Sequence, residues 1–154
     1  MKIIAILLMN ILSANLMANE VKIHSLCDQE DFHIVDLDIE SKTETVGSLT
    51  VRALEELGLD YVGSERSINV IDGSPSGVNA LEYIDAKNMK SYGWCYLVST
   101  DDSLPSEMPD EYRIDRHEQY IHWFYAYSEM IDGNWISFCV PTHLEKPDFI
   151  CKDR

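Results

Sequence analysis

The run Tyr120-Ile121-His122-Trp123-Phe124-Tyr125-Ala126-Tyr127 decides how this chain folds. Ile121, Trp123, Tyr125 and Tyr127 alternate with His122, Phe124 and Ala126, so both faces of a strand here are apolar or aromatic. Such a strand belongs at the centre of a sheet that is covered on both sides. A second aromatic run, Tyr92-Gly93-Trp94-Cys95-Tyr96-Leu97-Val98, precedes it. Trp94, Tyr96 and Val98 share one side of that strand, with Cys95 and Leu97 on the other. Before both comes a short strand, Ile68-Asn69-Val70-Ile71, ending at Asp72-Gly73. After them, Asp132-Gly133-Asn134 is a turn, and residues 135–140 return as a further strand. This is the outline of a small β-rich module.

Towards the N-terminus, residues 21–26 read as a first strand and Gln29-Glu30-Asp31 as a turn. Val35, Leu37 and Ile39 then alternate with Asp36, Asp38 and Glu40, the pattern of a half-buried antiparallel strand. The two strands form a hairpin. Ser48 is placed to cap a helix over residues 49–57, with Leu49, Ala53, Leu54 and Leu57 as its apolar stripe and Gly58 at its stop. Gly73-Ser74-Pro75-Ser76-Gly77 is a loop, residues 79–84 read as a helical turn or two, and residues 101–111 form an acidic, proline-containing loop. The tail to Arg154 reads as irregular and tied down by Cys151.

Met1-Lys2, the apolar run of residues 3–9 and the small residues Ser13, Ala14 and Ala18 form the layout of a secretory signal peptide. Cleavage is expected after Ala18, with Ala14 as the alternative. Asn10, Ser13 and Asn15 interrupt the apolar run, which is too short to span ~30 Å of hydrocarbon. Cys27 lies too far downstream for a lipoprotein signal. The mature chain is therefore expected to be secreted or periplasmic, without membrane insertion. Residues 19–154 make a single domain by length, with a C-terminal extension from roughly residue 131.

The chain carries 27 acidic and 12 basic residues, a net charge of −15, and removal of the leader would take away Lys2 as well. Such a surface repels nucleic acid and anionic lipid. It serves solubility and favours cationic partners. Four cysteines, Cys27, Cys95, Cys139 and Cys151, form an even set without any Cys-x-x-Cys pair. In an oxidising compartment that implies two disulfides rather than a zinc knuckle or a thioredoxin-type site.

Hairpin, helix, short strand, strand and long strand is the order of an α+β, β-grasp-like fold, a mixed sheet packed on one helix. Residues 21–127 also resemble the transcobalamin-like C-terminal domain family of β-grasp domains. The resemblance is carried by Ile71-Asp72-Gly73, by Tyr92-Gly93-Trp94-Cys95-Tyr96 where the family shows Gly-Trp-x-Tyr, and by Trp123-Phe124-Tyr125 where it shows Trp-x-Tyr. Ser99-Thr100-Asp101-Asp102 and Asp115-Arg116-His117-Glu118 replace two turns of the family pattern, so loop contacts made by relatives do not carry over. The family implies a ligand-binding β-grasp domain; cobalamin itself is held in animal transcobalamins between such a domain and a large helical one, and is not expected of this chain alone. No cofactor is expected.

For the cysteines, Cys139 with Cys151 closes a short loop worth roughly 3 kcal/mol and leaves Cys27 with Cys95. In a β-grasp the first strand and the Gly-Trp strand flank the long strand, two spacings or ~9.5 Å apart. A disulfide needs Cα atoms within about 7 Å, so Cys27 would have to bend inward from a turn. Cys95–Cys139 with Cys27–Cys151 is the alternative.

Candidate chemistry is sparse. His117 and His122 resemble a zinc-protease motif, but they are five apart and enter a strand, so they point to opposite faces. Asp36, Asp38 and Glu40 read as a solvated strand face before a calcium site. Gly73-Ser74-Pro75-Ser76-Gly77 reverses the nucleophile-elbow pattern. Of the aromatics Trp94, Tyr96, Trp123, Tyr125 and Trp135, most should be core. Tyr92, Trp94 and Tyr96, at the glycine-interrupted strand start, are the ligand-contact candidates. The expectation is a non-catalytic module binding a small molecule or an envelope or extracellular protein. The alternatives are a secreted inhibitor acting through the acidic surface of residues 101–111, and an enzyme in which His33, His117 or His122 meets an acid.

Overall fold

The structure, a computed structural model, describes residues 19–39, 43–98, 104–114 and 120–152. The leader assigned to residues 1–18 lies outside these, as do Glu40, residues 99–103 and residues 115–119 with His117. The first elements are β1 (Asn19–His24) and β2 (Phe32–Leu37), followed by α1 (Val46–Leu57) and a small hairpin of β3 (Tyr61–Ser64) and β4 (Ser67–Ile71). A 3-10 turn (Gly77–Ala80) leads into β5 (Leu81–Tyr83), β6 (Met89–Val98), β7 (Tyr120–Ile131) and β8 (Asn134–Pro141). Two single-turn helices close the chain, α2 (Thr142–Glu145) and α3 (Asp148–Cys151). The fold is α+β, mostly sheet with a few short helices.

The doubly apolar run is the sheet's central strand. The main sheet has the order β2-β1-β7-β6-β5, and β8 also pairs with β7. β1 runs parallel to β7 with Val21 opposite Ile121, and β6 is antiparallel to β7 with Tyr96 opposite Trp123. β1 and β7 are therefore neighbours, although about a hundred residues separate them in sequence.

One face of the sheet carries Val21, Ile23, Val35, Leu37, Ile121 and Trp123 against Leu49, Ala53 and Leu54 of α1. Trp123 is 2% exposed, and its indole N–H donates to the Thr50 hydroxyl at 2.7 Å, so the one polar atom of a buried ring is satisfied inside the core. A second cluster, Leu26, Ala80, Tyr92, Tyr125 and Ile150, fills the space between the sheet and the C-terminal tail.

Several boundaries differ from the sequence expectation. α1 starts three residues earlier, because Thr45 is its cap: its hydroxyl accepts the Ser48 N–H while the Ser48 hydroxyl accepts the Thr45 N–H. Ser48 is the third helical residue of that box, not the cap. Gly58 ends the helix in the left-handed region (φ 67°), as its residue type requires. β2 begins at Phe32 and ends at Leu37, leaving Asp38 and Ile39 beyond it. Ile68–Ile71 pairs with Tyr61–Ser64, a strand that Gly63 and the exposed Val62 hide from periodicity, and the pair stands apart from the main sheet. Residues 79–84 form no α-helix: a 3-10 turn passes into β5, which pairs with β6. The tail is not irregular but helical in two short pieces.

Candidate functional site

Cys27 lies past the end of β1, in the loop that turns back into β2. The Ser25 N–H donates to the Asp31 carbonyl (2.9 Å) and closes that loop. The chain leaving β8 returns here. The Thr142 hydroxyl sits between the carbonyls of Leu26 and Tyr125, 2.9 Å from the latter. Cys151 of α3 then bonds to Cys27, and Cys139 of β8 bonds to Cys95 of β6. This overturns the expected Cys139–Cys151 and Cys27–Cys95 pairs in favour of the alternative. The physical reason is that α2 docks onto β7 and carries Cys151 away from Cys139 towards the β1–β2 loop.

Between that loop, the end of β4 and β6 lies a cleft of about 370 Å³, within the range of small-ligand sites. Ile23, Leu26, Leu59 and Ile71 supply apolar lining, Trp94 an aromatic wall, and Asp28, Asp31, Asp72 and Lys146 the charges. The turn Asp72-Gly73 holds two of these walls. Asp72 (φ 47°) and Gly73 (φ 68°) are both left-handed, which brings Ser74 back under β4. The Ser74 hydroxyl accepts the Ile71 N–H (3.0 Å) and the Trp94 indole N–H (2.8 Å). Tyr125 meets the Trp94 ring edge-on, with centroids 5.5 Å apart.

Of the three sequence candidates, Trp94 is half-buried and lines this cleft. Tyr92 is buried; its hydroxyl donates to Glu82 (2.7 Å), and burial with that carboxylate pushes its pKa up. Tyr96 is buried too, donating to the Glu107 carbonyl (2.7 Å), and burial pushes its pKa up to about 12. Tyr96 and Trp94 also border a second, apolar cleft of about 280 Å³ beside Met108 and the Cys95–Cys139 bond.

On the opposite face of the sheet stands a group that sequence reasoning missed. His24 of β1, His122 of β7 and His143 of α2 are packed together. His24 stacks on His143 with centroids 4.1 Å apart and planes 2° from parallel. The His24 Nδ1 and His122 Nε2 atoms are in direct contact, and the His24 Nε2 donates to the Gln29 carbonyl at 3.2 Å. Burial lowers all three pKa values, and Lys22 pushes each further down; His24 also lowers the other two and His143 lowers His122, so that His122 falls to about 3 and His143 to about 4, while the Gln29 carbonyl and Asp31 partly offset the shift of His24. At neutral pH the trio is uncharged. Two parallel stacked rings cannot aim lone pairs at one ion, and no metal-holding group of three His, Cys, Asp or Glu is found among the described residues.

Nor is there an acid–base pair: among the described residues no histidine is hydrogen-bonded to a carboxylate. His33 is exposed at the cleft rim, and Asp36 and Asp38 are exposed to solvent. No family profile matches the chain, and no curated protein matches it.

Proposed function

We propose that this chain is a secreted or periplasmic, non-catalytic binding module. The observation that carries this reading is the Trp94 cleft. Its aromatic wall is fixed by Ser74 and its loop is tied to the tail by Cys27–Cys151, while among the described residues no nucleophile, base and acid are linked in it. Rigid walls around an apolar floor favour binding over chemistry, because little ordering remains to be done when a ligand arrives. Both disulfides support an oxidising compartment, and no helix among the described residues is long and apolar enough to cross a membrane.

We read the architecture as a β-grasp of the transcobalamin C-terminal type. In support, α1 follows the β1–β2 hairpin, β7 lies parallel beside β1, and β6 carries the Gly-Trp-x-Tyr residues on the other side of β7. The alternative, an inhibitor acting through the acidic loop, has less support, since Arg66 already engages Asp110 and Glu111 at 3.2 and 3.3 Å. Native mass spectrometry of the purified mature protein tests the module reading. A retained small molecule, lost in Trp94→Ala, is expected; a bare chain that also retains nothing after incubation with periplasmic or culture extract would sink it.

A further inference from the structure

We propose that the cleft beside Trp94 takes a small organic cation, an amine or ammonium group on an apolar body. This rests on the binding-module reading and names the ligand class of that same site.

The charge of the lining decides the sign. Three carboxylates, Asp28, Asp31 and Asp72, face one ammonium, Lys146. Among the described residues none of these four is in an ion pair. His24 adds no positive charge at neutral pH, because burial keeps its imidazole neutral. An anion would meet this rim uncompensated, whereas a cation relieves it, and the chain's net charge of −15 steers cations towards it.

An acidic rim alone would be ordinary surface in so acidic a chain. What distinguishes this one is what lies beneath it. The Trp94 indole N–H is already committed to Ser74, so the ring offers a ligand only its π system, which attracts cations. Ile23, Leu26 and Ile71 are buried at the base of the cleft and accept the hydrocarbon part of a ligand.

The rim is also set in advance. The Asp72 N–H is held by the Asp60 carbonyl at 2.8 Å, and the Asp28 carboxylate accepts the Glu30 N–H at 3.0 Å. The Cys27–Cys151 bond pins the loop between them. The Asp28 carboxylate and the Asp72 backbone are thus held in place, and among the described residues none of the three carboxylates is ion-paired, although Lys146 lines the same cleft, so the rim keeps net negative charge for a cation that arrives from outside.

The test is isothermal titration of the full mature chain with three isosteric probes: cyclohexylmethylamine, cyclohexylmethanol and cyclohexanecarboxylate. The ammonium is expected to bind at least tenfold more tightly than the alcohol, and the carboxylate not to bind. Asp31→Asn and Asp72→Asn should each weaken the ammonium at least threefold while leaving alcohol binding and the melting temperature unchanged, and raised salt should weaken it in the wild type. Trp94→Ala should abolish binding; the two surface aspartate variants keep the test decisive if that variant does not fold. Absence of ammonium binding, equal binding of the alcohol, or tighter binding of the carboxylate would overturn the cation. Native mass spectrometry then separates the two claims. A retained neutral or anionic molecule leaves the binding module standing without the cation, and a chain that binds none of the three probes and retains nothing even after incubation with extract removes both.

Discussion

Lowering the pH from 7 to 4 sets two opposed effects against each other in this protein. Protonating carboxylates on a chain of net charge −15 relieves self-repulsion and should raise stability. Protonating the histidine trio does the reverse. His122 and His143 fall from the ordinary value of 6.5 to about 3 and about 4 in the fold. A depressed folded pKa means that the unfolded chain binds the proton more readily. The stabilisation of the neutral rings is therefore complete above ~6.5 and is lost as pH falls towards the folded values. At pH 4 each of these two histidines contributes at most about 3 kcal/mol of destabilisation, obtained from ~1.36 kcal/mol per pKa unit over the interval. His24, stacked on His143 and tilted against His122, shifts in the same direction, and the groups facing the trio are Lys22, which opposes protonation, and Asp31, which favours it on His24. Even one such loss is a sizeable share of the ~5–15 kcal/mol that holds a domain together. Urea melts followed by near-ultraviolet circular dichroism between pH 7.5 and 4 read the balance directly. The wild type should lose several kcal/mol below pH 6.5, and a His122→Phe/His143→Leu double variant should lose far less or gain. A wild type whose stability climbs steadily to pH 4.5, or a double variant with the same slope, would refute the role given to the trio.

Trp123→Ala should lose ~3–5 kcal/mol, because it empties a fully buried site and removes the indole donor to the Thr50 hydroxyl, which keeps only its bond to the Val46 carbonyl, and thermal melts should show it largely unfolded. Trp94→Ala, at the half-buried cleft wall, should lose clearly less. Peptide mapping without reduction should return Cys27–Cys151 and Cys95–Cys139; recovery of a Cys139–Cys151 peptide would reject the tail placement. Replacing Cys27 and Cys151 together by serine should remove at most about 5 kcal/mol, since that bond closes a loop with a sequence separation of 124. Gly47→Ala should destabilise by about 1–3 kcal/mol in denaturant titrations, because a Cβ there would lie 2.0 Å from the Glu65 carbonyl oxygen and the β3–β4 turn backbone would have to shift.

Features that a few neighbouring residues can express were legible from the chain alone. Two-sided apolar character made residues 120–127 a central strand, and β7 is central. The Leu49, Ala53 and Leu54 stripe with Gly58 marked α1, and Asp132-Gly133, both left-handed in the structure, marked the β7–β8 turn. Those signals are local because strand alternation, helix periodicity and turn conformation are set within a few residues. The cleft was legible only through Trp94; its acidic rim comes from the β1–β2 loop and the β4 turn, which nothing in the sequence joins. The histidine trio was invisible for the same reason: His24 and His122 stand 98 positions apart and meet only because β1 lies parallel beside β7. His143 joins them only because Thr142 anchors α2 between Leu26 and Tyr125. The disulfide pairing likewise followed the docking of the tail rather than the spacing of the cysteines, since a crosslink forms where folding brings two sulfurs together, and short separation in sequence does not.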